Sequence, residues 1–390
     1  MNQVINTNIC QPYDFSYPKL NNIEKRQKLS EIFEQLLLFD KVIISTNRIN
    51  FSLAFLINEI GINSVERLID ANYIKFMIWT PVLFTGLGKE LPDGTYDESH
   101  LIGKPPIVSG TFSDEDLNAE KNIHYALSNF RLNRDIIKRF TKKALNNYII
   151  PNGMLLAQNS EKLILDSYIN NNLEEIGLPY EKEPTQLNID ERNTLLNLGY
   201  KVLETSLLTQ YDIKSYNNFE SLKIVEKNFS NIGKALNVSN NSTDLLNIEN
   251  VPSLKELFIS ERLDFDSVFK IRHYSSAKYF RKWINEISEN ENAQKITEEY
   301  LNEIKGKTKF FESSLGKFTK NLGLYAFGYG LGQAVAGQIG GIVGTASSKI
   351  IEPAVDYGLG LLETYWLDDL FKGKNPSMFI ESLKKDIKKD

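Results

Sequence analysis

Apolar residues recur at two different spacings in the first eighty residues. Ile23, Leu29 and Ile32 follow a helical period, so we expect an amphipathic helix over Asn22–Leu38. Short β-branched runs at Asp40–Thr46 and Tyr73–Thr80 predict two strands. Two further helical segments separate these strands, and the whole pattern predicts a β-α-α-β unit. The predicted segments between the strands are Phe51–Ile60 and Ser64–Ala71.

The segment Pro81–Phe112 changes character, because it is rich in Gly and Pro and contains the tetrapeptides PDGT and GKPP. Such residues punctuate regular structure, so we expect turns, extended pieces and a hairpin here. Surface loops often carry recognition residues, which makes this segment a candidate binding surface.

Nearly every segment after residue 112 has helical character. Ser113, followed by three acidic residues, is a suitable helix cap. Asn188 and Glu191 have the spacing of a capping box. The polar segment Asn237–Asn250 is typical of a linker. The predicted helices are Ala126–Tyr148, Asn159–Asn170, Ile189–Tyr211, Ser215–Leu236, Ser253–Ser260, Phe265–Ile271, Ser275–Glu289 and Glu291–Lys305.

One stretch, Asn321–Ser348, has no charged side chain, although charged residues make up 24% of the chain. Small residues recur in it at every fourth position and would form a stripe along one side of a helix. Such a stripe lets a second helix approach closely, as small residues do at helix contacts in membranes. The stripe consists of Gly328, Gly332, Ala336, Gly340, Gly344 and Ser348.

As one helix, this stretch would span about 42 Å at about 1.5 Å per residue, and a bilayer core is about 30 Å thick. Its hydrophobicity is marginal for insertion, because only eight of its residues are Leu, Ile, Val or Phe. Three interpretations stay open: a glycine-packed helix inside protein, conditional insertion into a membrane, and a permanent span.

Composition narrows the functional classes. The 390 residues carry a formal net charge of −5, which argues against a protein that is basic over its whole surface. Cys10 is the only cysteine, so an intrachain disulfide and a thiolate zinc site are excluded. No basic segment followed by an apolar core opens the chain, and we expect a cytoplasmic protein.

Phosphate-binding motifs fail when tested against the glycines. Lys89 is followed by Glu90, and Leu83 occupies a glycine position of the P-loop pattern. Val335 occupies the third glycine position of the dinucleotide fingerprint. No cofactor is therefore predicted.

The densest basic cluster lies between residues 131 and 143. Arg131, Arg134, Lys138 and Lys142 would share one face of the predicted helix and could bind phosphates or anionic lipid. The alternative is a solvated helix face that acids elsewhere neutralise in part. No aromatic platform accompanies the charge, since Phe130 and Phe140 point to other faces.

Asp116, Glu120 and His124 follow one another at intervals of four residues. On one helix their carboxylates and imidazole would share a face, an arrangement that can hold a metal. Acids are also favoured near a helix start without any ligand role, and the HExxH pattern is absent.

We therefore expect a mainly α-helical protein with a small α/β N-terminal part, a multi-helical body and a glycine-rich C-terminal helical module. The expected units are residues 1–112, 113–237 and 251–390. The first functional hypothesis is a non-enzymatic bacterial effector, with a defence or toxin-like role, whose glycine-rich helix mediates self-association, contact with a protein partner or conditional perturbation at the inner face of the membrane. A nucleic-acid-associated protein using residues 131–143 and a metal-dependent enzyme are the alternatives.

Overall fold

The computed structural model describes most of the first 288 residues and a few segments beyond them. The described residues are 3–10, 19–85, 89–90, 96–97, 101–111, 117–174, 177–211, 213–218, 244–261, 263–288, 319–326, 379, 382–383 and 386. In these ranges the chain is rich in helix and has a small parallel sheet near its N-terminus. That much of the predicted fold class is confirmed, while the division into three units stays a prediction.

Ten α-helices and two short 3-10 helices occur within the described ranges. One 3-10 helix follows α5, and the other precedes α7. The α-helices are α1 (Asn22–Leu38), α2 (Phe51–Ile60), α3 (Ile62–Asp70), α4 (Ala119–Leu127), α5 (Arg134–Ala144), α6 (Gly153–Ile169), α7 (Ile189–Gln210), α8 (Leu254–Ile259), α9 (Ser267–Ile271) and α10 (Ser275–Ser288). The 3-10 helices are Leu145–Asn147 and Pro184–Gln186.

The strands form one parallel sheet and three smaller antiparallel sheets. They are β1 (Gln3–Asn6), β2 (Lys41–Thr46), β3 (Ile74–Ile78), β4 (Pro81–Phe84), β5 (Lys89–Glu90), β6 (Tyr96–Asp97), β7 (Val108–Thr111), β8 (Tyr148–Ile149), β9 (Ser215–Asn218), β10 (Asp244–Pro252) and β11 (Thr319–Ala326). The parallel sheet has the order β1-β2-β3-β8. In its register Val4 lies opposite Val42, Val42 opposite Ile74, and Phe76 opposite Tyr148.

Side chains of the parallel sheet point alternately to its two faces, and helices cover both faces. Val42 and Ile44 of β2 belong to a first core, which they share with residues of α1 to α5 and of α8 to α10. Ile43, between them, belongs to a second core with residues of α6 and α7. Burial on both faces explains why Val42, Ile43 and Ile44 form an apolar run without alternation, as is usual for parallel strands.

Local signals predicted the first elements well. The structure confirms α1 over the expected range, and a capping box between Asn21 and Glu24 begins it. The expected hairpin is confirmed, since β4 pairs with β7 and β5 with β6 in antiparallel register. The predicted capping box of α7 is present, with Asn188 and Glu191 bonding reciprocally at 2.8 and 2.9 Å.

The single helix predicted over Ala126–Tyr148 is wrong. Helix α4 ends at Leu127, where Ser128 and Asn129 donate side-chain hydrogen bonds to the carbonyl of Tyr125 at 2.6 and 3.2 Å. Side chains that take carbonyls in this way compete with helix continuation. Asn133 then caps α5 by accepting from the backbone of Asp135 at 3.0 Å.

A third sheet corrects three further predictions. Its order is β10-β11-β9, and all its pairs are antiparallel. The helix predicted from Ser215 is wrong over Ser215–Asn218, and the linker predicted over Asn237–Asn250 is wrong from Asp244 onward. The first six residues of Asn321–Ser348 lie in β11, so a helix starting at Asn321 is also wrong. These strands pair across large sequence separations, which local periodicity does not report.

Gly328 and the other members of the small-residue stripe lie outside the described residues, and their predicted role stays a prediction. Residues near the C-terminus pack against the first core: Phe379 stacks on Phe280 with ring centroids 4.7 Å apart, and Tyr274 donates to Asp386 at 2.8 Å. Within the described ranges, no helix combines the length and apolar character needed to cross a membrane.

Candidate anion-binding groove

Helix α5 carries its cations on two sides that have different surroundings. On one side, Arg139 and Lys143 contact the acids of α3. Arg139 binds Glu66 through two hydrogen bonds of 3.1 and 3.0 Å, and Lys143 reaches Glu66 at 2.8 Å and Asp70 at 2.7 Å. These hydrogen bonds raise the pKa of Lys143. This side of α5 is neutralised and holds two helices together.

The other side presents Arg134, Lys138 and Lys142 to solvent. They follow one another at intervals of four residues, so their Cα atoms lie about 6 Å apart along the helix axis. In the part of the chain that the structure describes, none of the three forms an ion pair with a carboxylate. Arg131 was predicted to share this face, but it precedes the Asn133 cap and is not part of the helix.

A cavity of about 630 Å³ opens between α4 and α5 along this row of cations. We call it the α4–α5 groove. Its lining residues are Glu120, His124, Arg134, Ile137, Lys138, Thr141, Lys142 and Leu145. Ile137 and Leu145 give it apolar surface, and its volume lies in the usual range of ligand sites. The groove therefore brings together residues that the sequence predicted as two separate sites. Arg134, Lys138 and Lys142 come from the basic cluster, and Glu120 and His124 come from the predicted metal ligands.

A second cavity of about 590 Å³ adjoins the groove along α4. Glu120 and His124 line both cavities. The second cavity is also lined by Tyr125, a residue that is 51% exposed. Tyr125 was not predicted from the sequence, because Phe130 and Phe140 were the aromatic residues considered beside the basic cluster. Both of these pack into the first core. The position of Tyr125 directly after His124 was an available signal.

Buried asparagines hold α4 against the end of the parallel sheet. Asn122 donates from Nδ2 to the carbonyls of Asn47, at 3.3 Å, and of Arg48. Asn50, fully buried and left-handed at φ 51°, donates to the hydroxyl of Tyr148 at 2.7 Å and to the carbonyl of Asn122 at 3.4 Å. Burial raises the pKa of Tyr148. This network fixes one wall of the groove.

The same network occupies the helix start that follows β2, where open α/β sheets often bind phosphate. The backbone N–H of Phe51 donates to Asn47 Oδ1 at 3.2 Å, and that of Ser52 donates to Thr46 Oγ1 at 3.4 Å. Because side chains of the protein already accept from these donors, the start of α2 is a poor anion site.

The predicted metal ligands are only partly brought together. Helix α4 begins at Ala119 with Asn118 as its cap, so it starts after the position expected from Ser113. Glu120 and His124 lie on α4, whereas Asp116 lies outside the described residues. In the described ranges, no three His, Cys, Asp or Glu side chains are grouped closely enough to hold a metal ion.

Another cavity, of about 570 Å³, lies between α1, the α2–α3 junction and the α8–α9 segment. Its two cations have carboxylate partners, because Lys25 contacts Glu59 at 3.2 Å and Arg26 contacts Glu261 at 3.0 Å. An anionic ligand would have to displace these acids. The α4–α5 groove is the better candidate for that reason.

Buried arginines serve the fold. Arg272 donates to the carbonyls of Leu36, Phe39 and Asp40 at the end of α1, with distances of 2.8 Å to the last two. Burial is the main reason why its pKa falls to about 10. Satisfying these carbonyls compensates for taking a charge out of water.

Comparisons with protein-family models, curated proteins and solved structures found no match to this chain.

Proposed function

We propose that the protein binds nucleic acid and that the α4–α5 groove holds the phosphates. The observation that supports this proposal is the row of Arg134, Lys138 and Lys142, which face solvent beside a concave surface and have no carboxylate partner among the described residues. Cations left unpaired on a regular helix face are suited to contact successive charges of a polymer.

The distribution of charge favours binding of a polyanion at the groove alone. The groove lining contains three cations and one carboxylate, Glu120. The whole chain has a net charge of −5, so acidic surfaces elsewhere would repel a polyanion and orient it toward this groove. Glu120 lowers the positive potential of the groove. The net positive charge of the groove lining is therefore smaller than its three cations alone would give.

The salt dependence of binding tests the proposal. Contacts to three phosphates of a single strand predict a slope of log affinity against log salt of about −2, because each contact contributes about −0.7. Fluorescence anisotropy with a labelled oligonucleotide measures this slope. Arg134→Glu or Lys138→Glu should weaken binding at least about tenfold at low salt and make the slope shallower by about 0.7.

Lys162→Glu is the matched control, because Lys162 is exposed on α6, which covers the opposite face of the sheet. It makes the same change in net charge and should leave affinity within about twofold. Equal effects of the three reversals would show that only overall charge matters and would contradict the proposal. Anionic lipid vesicles that compete with the oligonucleotide would favour a membrane ligand instead.

The effector hypothesis rests on residues 321–348, which are outside the described residues except for the first six. It stays a prediction with its own test. The metal-dependent enzyme also stays a prediction, and it requires stoichiometric metal in protein purified without chelator.

A further inference from the structure

Tyr125 lines the second cavity, which shares Glu120 and His124 with the α4–α5 groove. It lies on α4 directly after His124, which lines both the groove and the adjoining cavity. Tyr125 as a residue is 51% exposed beside a concave surface, where its ring can accept another flat ring. Since every base has such a face, stacking on an aromatic side chain is a common means of binding single strands.

Two of the polar side chains that line the second cavity with Tyr125 have internal partners, while Glu120, Lys121 and His124 line it as well. Asn118 Oδ1 accepts from the backbone of Lys121 at 2.9 Å, and Ser128 Oγ donates to the Tyr125 carbonyl at 2.6 Å. Groups occupied in this way are poorly placed to recognise the hydrogen-bonding edge of a base. Stacking on the face of Tyr125 would itself carry little sequence preference, because every base has such a face.

From this arrangement we infer that the protein binds single-stranded nucleic acid in preference to duplex, with phosphates on α5 and a base stacked on Tyr125. The inference rests on the proposed function. In a duplex, each base is already paired and stacked, so its faces are closed to Tyr125. Unpaired bases can turn outward and stack on aromatic side chains.

Three probes separate the contributions: an oligothymidylate of about 16 nucleotides, an abasic phosphodiester chain of equal length and a duplex of the same length. The wild-type protein should bind the oligothymidylate most tightly. Tyr125→Ala should weaken oligothymidylate binding at least about fivefold and leave the abasic chain unaffected, because stacking alone is removed. Tyr125→Phe keeps the ring and should stay within about twofold of wild type.

Failure of this inference and failure of the proposed function give different results. Equal affinity for oligothymidylate and the abasic chain, or an unchanged Tyr125→Ala variant, would overturn the stacking role while phosphate binding by α5 remained. Tighter binding of duplex than of single strand would overturn the preference. If the wild-type protein bound none of the three probes, both proposals would be wrong.

Discussion

Arg139 donates two hydrogen bonds to the carboxylate of Glu66, from Nε to Oε1 at 3.1 Å and from Nη2 to Oε2 at 3.0 Å. This bidentate pair joins α5 to α3 across 73 positions of sequence. It also divides the basic cluster by role, because the neutralised side of α5 fixes the helix while the other side stays available for a ligand.

The pair predicts that Glu66→Ala destabilises the fold without weakening nucleic-acid binding. Glu66 is 8% exposed and accepts from both Arg139 and Lys143. Removing this shared acceptor should lower the free energy of unfolding by about 1–2 kcal/mol, the range for charge-assisted bonds near a surface. Urea denaturation measures the change. Glu181→Ala, at an exposed loop position, should cost less than about 0.5 kcal/mol, and an equal cost would show that the pair adds no stability.

Substitution of Arg192 should destabilise the fold more than substitution of Glu66. Arg192 is fully buried, and among the described residues its side chain donates to backbone carbonyls of the loop before β7 and of the segment before α7. The acceptors are the carbonyls of Leu101, Lys104, Pro105, Thr185 and Leu187, at distances from 2.8 to 3.2 Å. Burial lowers the pKa of Arg192.

Arg192→Met should cost more than about 3 kcal/mol, because several buried carbonyls lose their donor at once. Arg192→Lys should restore little of this stability, since an ammonium lacks the planar fork of five donors. Urea denaturation gives the cost, and limited proteolysis should show new cleavage between residues 101 and 107. A lysine variant as stable as wild type would contradict this account of the loop.

The capping box of α7 predicts a pH dependence. Burial opposes ionisation of Glu191, but hydrogen bonds from Lys182 Nζ and from the backbone of Asn188 outweigh it and lower the pKa. A folded-state pKa below the unfolded one stabilises the protein above the unfolded pKa, and this stability is lost as the pH falls through the folded pKa.

Glu191→Gln should therefore be less stable than wild type at neutral pH, and the difference should shrink as the solution is acidified. Urea denaturation over a series of pH values measures both. Glu181→Gln removes a nearby carboxylate from an exposed position and should change stability little at any pH. A difference between wild type and Glu191→Gln that is independent of pH would show that the charge of Glu191 contributes nothing.

The bounds of α1 and the caps of α7 could be predicted because these signals are local. Asn21, Asn188 and the helical spacing of apolar residues act within one or two turns. The strand Tyr148–Ile149 could not be predicted in the same way, since it has two residues and exists through pairing with β3. Tertiary pairing likewise makes strands of Asp244–Pro252 and Thr319–Ala326.

The candidate groove was half visible in the sequence. The four-residue spacing placed Arg134, Lys138 and Lys142 on one helix face, as in α5, but Arg131, which was predicted with them, lies before the helix. Their proximity to His124 depends on how α5 folds back on α4 after a six-residue turn, which no local pattern specifies. The partners of Arg139 and Lys143 are on α3, so the neutralised and available cations could not be distinguished before the fold was known.

The small-residue stripe gives the last prediction. With Asn321–Ala326 in β11, the stretch proposed for close helix packing is shortened to residues 327–348. Replacing Gly332, Gly340 and Gly344 by Leu should abolish self-association or membrane association, because bulky side chains keep helix backbones apart. Replacing Gly330, Gly337 and Gly341 by Leu is the matched control, since it makes the same change in composition off the stripe. Vesicle flotation, dye leakage and oligomer mass are the measurements, and equal behaviour of the two triple variants would refute a role for the stripe.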